Sequence, residues 1–157
     1  MPQSIREYID DLNNEKFRSF IIHSNDEMRS NNFVKEVAFK LKGKFIDLRQ
    51  LFENDPILYK ALDSFNTSKL NELLKKEANH EKLVFVSNIA FLWDTWNDSE
   101  KANFLTLVDK QWNSFFKETK ATLVFNLPPD HILQSTTIKD TRGKSRIKEM
   151  NDFSAII

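Results

Sequence analysis

Four short apolar runs, separated by longer amphipathic segments, set the order of elements along this 157-residue sequence. The runs are RSFIIHS (18–24), KFIDLRQLF (44–52), KLVFVSN (82–88) and ATLVFNL (121–127). Their apolar residues are consecutive rather than alternating with polar ones, so both faces of each predicted strand should be covered. The pattern therefore predicts an α/β fold of three layers, with a mainly parallel sheet and helices on both faces.

The segments between the apolar runs have the periodicity of helices. Phe33, Val37 and Leu41 recur at i, i+4 and i+8, which places them on one side of a helix. Gly43 follows at the position where helices often end. Further helices are predicted over 4–15, 56–65, 68–80 and 97–118, with Pro56, Ser68 and Asn97 at the starts of the last three and Glu100 at capping-box spacing from Asn97.

Nothing in the composition divides the chain into parts. The sequence is 40% hydrophobic and 12% aromatic, which is enough for one packed core at this length. No stretch is rich enough in glycine, proline or serine to act as a linker. We therefore expect a single domain over 1–157, with a basic C-terminal extension from about residue 130.

The composition also excludes several classes of function. There is no cysteine, so disulfide scaffolds, thiolate metal sites and cysteine nucleophiles are excluded. The 23 basic and 23 acidic residues balance, which argues against a strongly basic nucleic-acid binder. The N-terminal residues are polar and no apolar run is long enough to span a bilayer, so we expect no membrane partner and a cytoplasmic location.

The loop between the first strand and the next helix lies where a phosphate-binding loop would be. Such a loop reads G-x-x-x-x-G-K-[ST], and its backbone amides surround phosphate groups. The equivalent positions here are 23–30, with His23 and Met28 in place of the glycines and Arg29 in place of the lysine. Only Ser30 matches the pattern.

A second segment strengthens the comparison. With the strand–loop–helix unit, LVFVSNIAFLWD (83–94) resembles the core of an AAA-like P-loop ATPase domain, over roughly residues 18–127. In that family this strand ends in a carboxylate that holds magnesium-bound water, and small bacterial members often read Asp-Asn-Ile-Glu there. Ser87 and Ala90 occupy the two acidic positions, and Asn126 occupies that of the sensor residue. The resemblance implies a P-loop NTPase-like fold.

The departures from the family pattern imply that catalysis has been lost. His23 and Met28 add side chains where phosphate approaches the backbone closely, and Asp26 and Glu27 add negative charge that repels a triphosphate. Ser87 cannot replace the carboxylate that positions magnesium-bound water. We therefore expect a relative that does not hydrolyse nucleotides and uses no cofactor.

Arg29 and Ser30 form the one candidate cofactor site that remains, and it is a site for an anion only. They begin a helix, where free amides and the helix dipole favour negative charge. The alternative is a surface arginine beside an ordinary helix cap.

Two tryptophans follow the third predicted strand. Trp93 and Trp96 lie in FLWDTWND, and aromatic residues in a loop can form a partner-binding patch. The alternative, which we favour, is that their rings close the edge of the core.

The C-terminal segment contains a cluster of basic residues. Four of its basic residues are spaced by two, so on an extended chain they would project from one side and could contact a nucleic-acid backbone. The alternative is a charged edge strand that resists aggregation. The candidate nucleic-acid-binding residues are Lys139, Arg142, Lys144, Arg146 and Lys148. We expect the apolar FSAII at 153–157 to pack back on the domain or to pair at an edge of the sheet.

The remaining polar residues indicate no catalytic site. The three histidines are scattered without metal-ligand spacing, so no metal is expected. Asp94, Asp98 and Glu100 follow the third strand and are interpreted as loop and capping residues.

The sequence therefore predicts a non-catalytic, P-loop-like protein that acts by binding other proteins. Small P-loop proteins of this size accompany bacterial phage-defence systems, BREX among them, and that analogy suggests a subunit of such a complex. Two alternatives stay open: a nucleic-acid-binding accessory factor that uses the basic segment, and an atypical NTPase completed by a partner.

Overall fold

A five-stranded parallel sheet forms the centre of the structure, a computed structural model that describes residues 3–78, 80–111 and 121–153. The strands are β1 (Phe20–His23), β2 (Lys44–Asp47), β3 (Leu83–Ser87), β4 (Thr122–Leu127) and β5 (Ile147–Glu149). Their order across the sheet is β2-β3-β4-β1-β5, and every pairing is parallel. The predicted parallel α/β sheet is confirmed.

Within the described residues, eight α-helices connect or flank these strands. They are α1 (Ile5–Leu12), α2 (Glu27–Lys40), α3 (Leu48–Asn54), α4 (Pro56–Lys60), α5 (Thr67–Glu77), α6 (Ala90–Trp93), α7 (Asp98–Thr106) and α8 (His131–Ser135). A π-helical turn over Leu107–Gln111 continues α7. Within the described ranges, no helix combines the length and apolar character needed to cross a membrane.

Two separate apolar cores cover the two faces of the sheet. On one face, α1 and α2 pack against alternate strand residues, including Phe20, Ile22 and Phe85. On the other face, α3 and α5 to α8 pack against the intervening residues, such as Ile21 and Val84. Because successive side chains of a strand point to opposite faces, both faces need apolar residues. This arrangement confirms the predicted three layers.

The second apolar run is only partly a strand, which corrects the prediction for 44–52. β2 ends at Asp47, whose carboxylate accepts a hydrogen bond from the Gln50 backbone N–H at 3.1 Å and so caps α3. Leu48 and Phe52 then lie one helical turn apart and are both buried. The run was ambiguous because a short apolar segment with this spacing suits either element.

Other helix boundaries also differ from those predicted. Asn66 rather than Ser68 caps α5, because its side chain accepts a hydrogen bond from the Lys69 N–H at 2.9 Å. The helix that starts at Pro56 ends at Lys60, and a short 3-10 turn follows. The predicted helix 97–118 is α7 with its π-helical turn as far as Gln111, and its remainder lies outside the described residues.

Asn97 and Glu100, which have the spacing of a capping box at the start of α7, do not form the expected reciprocal pair. Asn97 caps the helix as predicted, with its side chain 2.8 Å from the Glu100 N–H. The Glu100 carboxylate instead accepts a hydrogen bond from the Thr67 N–H at 2.5 Å, at the start of α5. Burial raises the pKa of Glu100, but the hydrogen bonds from Thr67 outweigh it and lower the pKa overall. Glu100 thus joins two helices.

The C-terminal segment is part of the sheet rather than an appendage. β5 pairs with β1 from Ile21↔Ile147 to His23↔Glu149. Phe153 forms an isolated parallel bridge with Gln3. Its ring stacks near Phe33 with centroids 6.5 Å apart. The expected return of the C-terminus to the domain is seen for Phe153, while 154–157 lie outside the described residues.

Gly43 is required for close packing rather than for the end of α2. The left-handed residue after α2 is Lys42, with φ of 57°. A Cβ on Gly43 would lie 3.0 Å from the Phe85 ring and 3.2 Å from the Leu83 carbonyl oxygen. Gly43 therefore lets the start of β2 approach β3 beneath α2.

We expect Gly43→Ala to lower the free energy of unfolding by about 1–3 kcal/mol, because the added methyl forces a buried ring or the backbone to move. Urea denaturation measures the change. Lys44→Ala, at the exposed first residue of β2, is the matched control and should change stability by less than about 0.5 kcal/mol. Equal stability of Gly43→Ala and the wild type would contradict the packing argument.

Candidate functional site at the carboxyl edge of the sheet

The carboxyl ends of β1 and β4 border the crevice in which this kind of sheet binds ligands. In open α/β sheets, ligands bind beyond the strand ends where neighbouring connections diverge. The chain leaves β1 through α2 on one face and leaves β4 through α8 on the other. The loop that resembles a phosphate-binding loop follows β1, so it lies at this edge.

The start of α2 is already capped by its own acidic residue. The Asp26 carboxylate accepts a hydrogen bond from the Arg29 N–H at 3.0 Å. The Asp26 N–H in turn donates to the Ser24 hydroxyl at 3.1 Å. Glu27 adds a second carboxylate in the first turn. Negative side chains therefore occupy the helix end that would attract a phosphate.

The two residues predicted to bind an anion lie in different environments. Arg29 is exposed, whereas Ser30 is buried and its hydroxyl donates to the Glu27 carbonyl at 3.2 Å. The serine that matches the P-loop pattern thus makes a hydrogen bond within its own helix. Anion binding by Arg29 and Ser30 stays a prediction.

A neutral hydrogen-bonded chain links α2, β3 and β4 beneath this edge. The Ser87 hydroxyl donates to the Asn31 side-chain oxygen, and the Asn126 side-chain nitrogen donates to Ser87 at 3.1 Å. Ser87 is fully buried and Asn126 is 5% exposed. In AAA-like P-loop ATPases, the position of Ser87 carries the carboxylate that positions magnesium-bound water, and the position of Asn126 carries the sensor residue. A hydroxyl and an amide that are hydrogen-bonded to each other occupy them, and the Asn126 side-chain oxygen has no partner among the described residues.

Asn31 takes part in this hydrogen-bonded group, although the sequence analysis did not predict it. A signal was present, because Asn31 and Asn32 are consecutive asparagines inside a helix, and asparagine is a poor helix former. A residue with low helix propensity on a partly buried helix side needs another reason to be there. Its hydrogen bond to Ser87 supplies that reason.

A narrow cleft opens above the buried chain, with room for about one water molecule. Asn88, which has a positive φ of 57°, turns the chain from β3 toward α6 and forms part of its wall. The lining consists of Ser24, Glu27, Ser30, Asn88, Ile89, Ala90, Asn126, Leu127 and Pro128.

Met28 does not occupy the space where a phosphate would lie, which corrects the expectation. The residue is 77% exposed to solvent.

Trp93 and Trp96 are core residues, which corrects their candidate role in partner binding. Trp93 is fully buried and Trp96 is 8% exposed. The Trp93 indole donates to the Asp130 carboxylate at 3.0 Å, and the Trp96 indole donates to the Phe65 carbonyl at 2.8 Å. Both rings pack against Phe104. The two rings close the edge of the core, as the favoured alternative predicted.

Asp130 fixes the loop that leaves β4. Its carboxylate accepts hydrogen bonds from the Lys101 ammonium at 2.9 Å, the Trp93 indole and the Ile132 N–H. Burial raises the pKa of Asp130, but these three hydrogen bonds outweigh it and lower the pKa to about 2. The loop therefore holds its place through a charged group that stays ionised.

Arg146 is buried, which corrects the expected stripe of exposed basic residues. The chain turns between Lys139 and Ser145, which form an isolated antiparallel bridge, with Gly143 at a positive φ of 82°. Only Ile147–Glu149 are a regular strand. Positions 142 to 148 are thus not one extended segment, and Arg146 is 1% exposed.

The Arg146 guanidinium binds three other segments of the chain. It donates to the carbonyls of Ser19 at 2.7 Å, Asp109 at 2.6 Å and Lys139 at 3.2 Å, and more weakly to that of Val108 at 3.4 Å. It also pairs with the Asp109 carboxylate at 2.8 Å. Burial lowers the pKa of Arg146, and the nearby Asp109 opposes that shift. Its function is to hold the fold together.

The other basic candidates stay on the surface. Lys139, Arg142 and Lys144 are exposed around the 139–145 turn. The Lys148 ammonium lies 4.9 Å from the centroid of the Tyr8 ring. Nucleic-acid contact through these residues stays a prediction.

Comparisons with known proteins give no relative. No protein-family model matches the chain, and neither the curated proteins nor the solved structures contain a significant match. Among the residues that the structure describes, no group of three or more His, Cys, Asp or Glu side chains is arranged to hold a metal ion. The function must therefore be inferred from the geometry of the site.

We expect Asp130→Asn to lower the free energy of unfolding at pH 7 by about 1–2 kcal/mol. The folded-state pKa of Asp130 lies below its unfolded value of 3.8, so its contribution is present above that value and is lost as the pH falls toward about 2. Urea denaturation between pH 2 and pH 7 should show the two proteins converging at low pH. Asp63→Asn, at an exposed position, is the control. A difference that stays constant with pH would contradict this assignment.

We expect Arg146→Lys to lower the free energy of unfolding by about 3–5 kcal/mol, because an ammonium cannot reach all the carbonyls and leaves buried groups unpaired. Thermal and urea denaturation measure the loss. Arg142→Lys, on the exposed side of the same segment, should be near neutral. Similar stabilities for the two variants would show that the hydrogen bonds of Arg146 are not important.

Proposed function

We propose that this chain is a non-catalytic, P-loop-like protein that acts by binding other proteins, as a scaffolding subunit of a cytoplasmic bacterial complex. Phage-defence complexes are the first ones to consider, by analogy with the small P-loop proteins that accompany them. The observation that carries the proposal is the neutral Asn31–Ser87–Asn126 chain at the ligand-binding edge of the sheet.

Phosphoryl transfer depends on positive groups and magnesium that stabilise charge on the transferred phosphate. At this edge, Asp26 caps α2 and Glu27 lies in its first turn, so two carboxylates oppose the charge of the exposed Arg29. The Ser87 oxygen already serves as both donor and acceptor. A cleft with room for about one water also leaves no space for a triphosphate. These features favour a structural role over nucleotide hydrolysis.

Exposed apolar side chains support a role in protein binding. Met28 and Phe39 are 77% and 84% exposed, and they lie about three helical turns apart on the same side of α2. Ile57 and Tyr59 of α4 are 80% and 63% exposed. Methionine and aromatic residues are enriched at protein interfaces. Such large side chains in contact with water are consistent with a surface that a partner covers.

One observation favours the nucleic-acid alternative. Lys139, Arg142 and Lys144 are exposed together on one turn, as a phosphate backbone would require. The acidic Asp140 lies in the same turn, where it accepts hydrogen bonds from the Arg142 and Lys144 N–H groups. The local charge is therefore modest, so protein binding remains the better-supported function.

Calorimetric titration of ATP and ADP with magnesium tests the loss of nucleotide chemistry. We expect no heat of binding up to millimolar nucleotide. Micromolar binding that is abolished by Arg29→Ala would overturn the proposal. Nucleotide binding that requires an added partner protein would favour an NTPase completed in trans.

Purification of the tagged chain from cells that express it tests the scaffold itself. A stoichiometric partner that is retained by the wild type and lost from a Met28→Ser, Phe39→Ser double variant would support it. Lys44→Ala is the control for surface substitution. Retention of nucleic acid instead, with salt-sensitive release and loss in an Arg142→Ala, Lys144→Ala variant, would favour the alternative.

A further inference from the structure

One side of α2 is exposed along most of its length. The exposed residues, at intervals of four, three and four, are Met28, Asn32, Lys35 and Phe39. Residues with this spacing lie in one line along a helix, as at the seam of a coiled coil. The buried side chains of the same helix, Val34 and Val37 among them, pack on the sheet. These four residues, the outer stripe of α2, therefore lie on the outer surface of the domain.

The outer stripe is complementary to itself when two copies of α2 run antiparallel. It has a large apolar residue at each end and two polar residues in the middle, so reversing it exchanges like with like. Met28 then lies beside Phe39 of the second copy at both ends, and a thioether beside an aromatic ring is a favourable contact. Asn32 lies beside Lys35 of the second copy, where the ammonium can donate to the amide oxygen.

The charges beside the outer stripe also match in this arrangement. Arg29 and Glu36 follow Met28 and Lys35 by one residue, and both are exposed. Antiparallel pairing places each Arg29 beside Glu36 of the second copy, so two ion pairs form across the interface. A parallel pairing would instead bring the two Lys35 side chains together, and like charges at such positions repel.

The contacts of these two residues within one chain leave room for the ion pairs. No ion pair of Arg29 is found among the described residues. Glu36 pairs through one carboxylate oxygen with the Lys40 ammonium at 3.1 Å, and both side chains of that pair are about half exposed. The second oxygen of Glu36 can accept from a guanidinium.

We propose that α2 forms the interface of a symmetric dimer, in which two copies of this chain pair their outer stripes antiparallel. The helix has 14 residues and is therefore about 21 Å long, which makes a small interface with an expected dissociation constant in the micromolar range. The inference rests on the proposed protein-binding function for the role of the dimer, because Ile57 and Tyr59 of α4 remain exposed to bind other proteins.

Analytical ultracentrifugation of the full chain between about 1 and 200 µM tests the dimer, since a small interface should dissociate in this range. We expect the average mass to rise with concentration from that of one chain toward that of two. Phe39→Ser should remain monomeric, and because Phe39 is 84% exposed its loss should not disturb the core. Tyr59→Ser, at a residue of α4 that is 63% exposed, is the control and should dimerise like the wild type. A wild type that stays monomeric throughout would overturn the inference.

Charge reversal tests the antiparallel register. Arg29→Glu and Glu36→Arg should each weaken dimerisation at least about tenfold, because each places like charges together at two points. The Arg29→Glu, Glu36→Arg double variant should restore it. Mixing the two single variants should also restore it, since every pair in the mixed dimer joins opposite charges.

Arg49→Glu, an exposed reversal on α3, is the control and should leave dimerisation unchanged. A dimer that is insensitive to the reversals at Arg29 and Glu36, or one that neither the double variant nor the mixture restores, would show that α2 does not pair in this way.

The two proposals fail in different ways. If the chain is monomeric and yet retains a different protein from cells, the scaffold function stands and self-association through α2 is wrong. If the dimer forms and responds to charge reversal but no other protein is retained, the dimer stands and the scaffold function is wrong.

Discussion

The buried guanidinium of Arg146 is the interaction on which the arrangement of this fold depends. It connects the entrance to β5 with the residue before β1, the π-helical turn after α7 and the turn at Lys139. A buried charge is costly unless it is paired and fully hydrogen-bonded, so these four segments must meet in one geometry to satisfy it. That geometry positions the edge strand β5 beside β1.

The carboxyl edge of the sheet differs from this charged centre, because the residues at its middle are neutral. Ser87 and Asn126 satisfy each other beneath α2, while the charged groups Asp26 and Glu27 lie nearer the solvent. The side-chain oxygen of Asn126 has no hydrogen-bond partner among the described residues. Ser87 and Asn126 supply neither a carboxylate nor a positive charge, the groups on which phosphoryl transfer depends.

The layers and the first four strands were predictable from sequence, because continuous apolar runs separated by helical spacing admit few alternatives, but β5 (Ile147–Glu149) was not predicted. The boundary between strand and helix within 44–52 could not be predicted. Asp47 caps a helix only because the chain turns there. The site was less predictable still. The basic spacing of two suggested an exposed Arg146, because nothing local shows that the backbone carbonyls of distant segments converge on it. Burial of Trp93 likewise depends on Asp130, 37 residues away.

The strand order has a consequence for how the chain acquires its structure during synthesis. β1 and β2, the first two strands made, are not neighbours, and both neighbours of β1 come from the last third of the chain. The early part of the chain can therefore form helices but no sheet hydrogen bonds for β1. Its pairing requires contacts more than a hundred residues apart in sequence, which are slow to form. Until β4 emerges, the apolar FIIH strand has both edges unpaired and open to other chains.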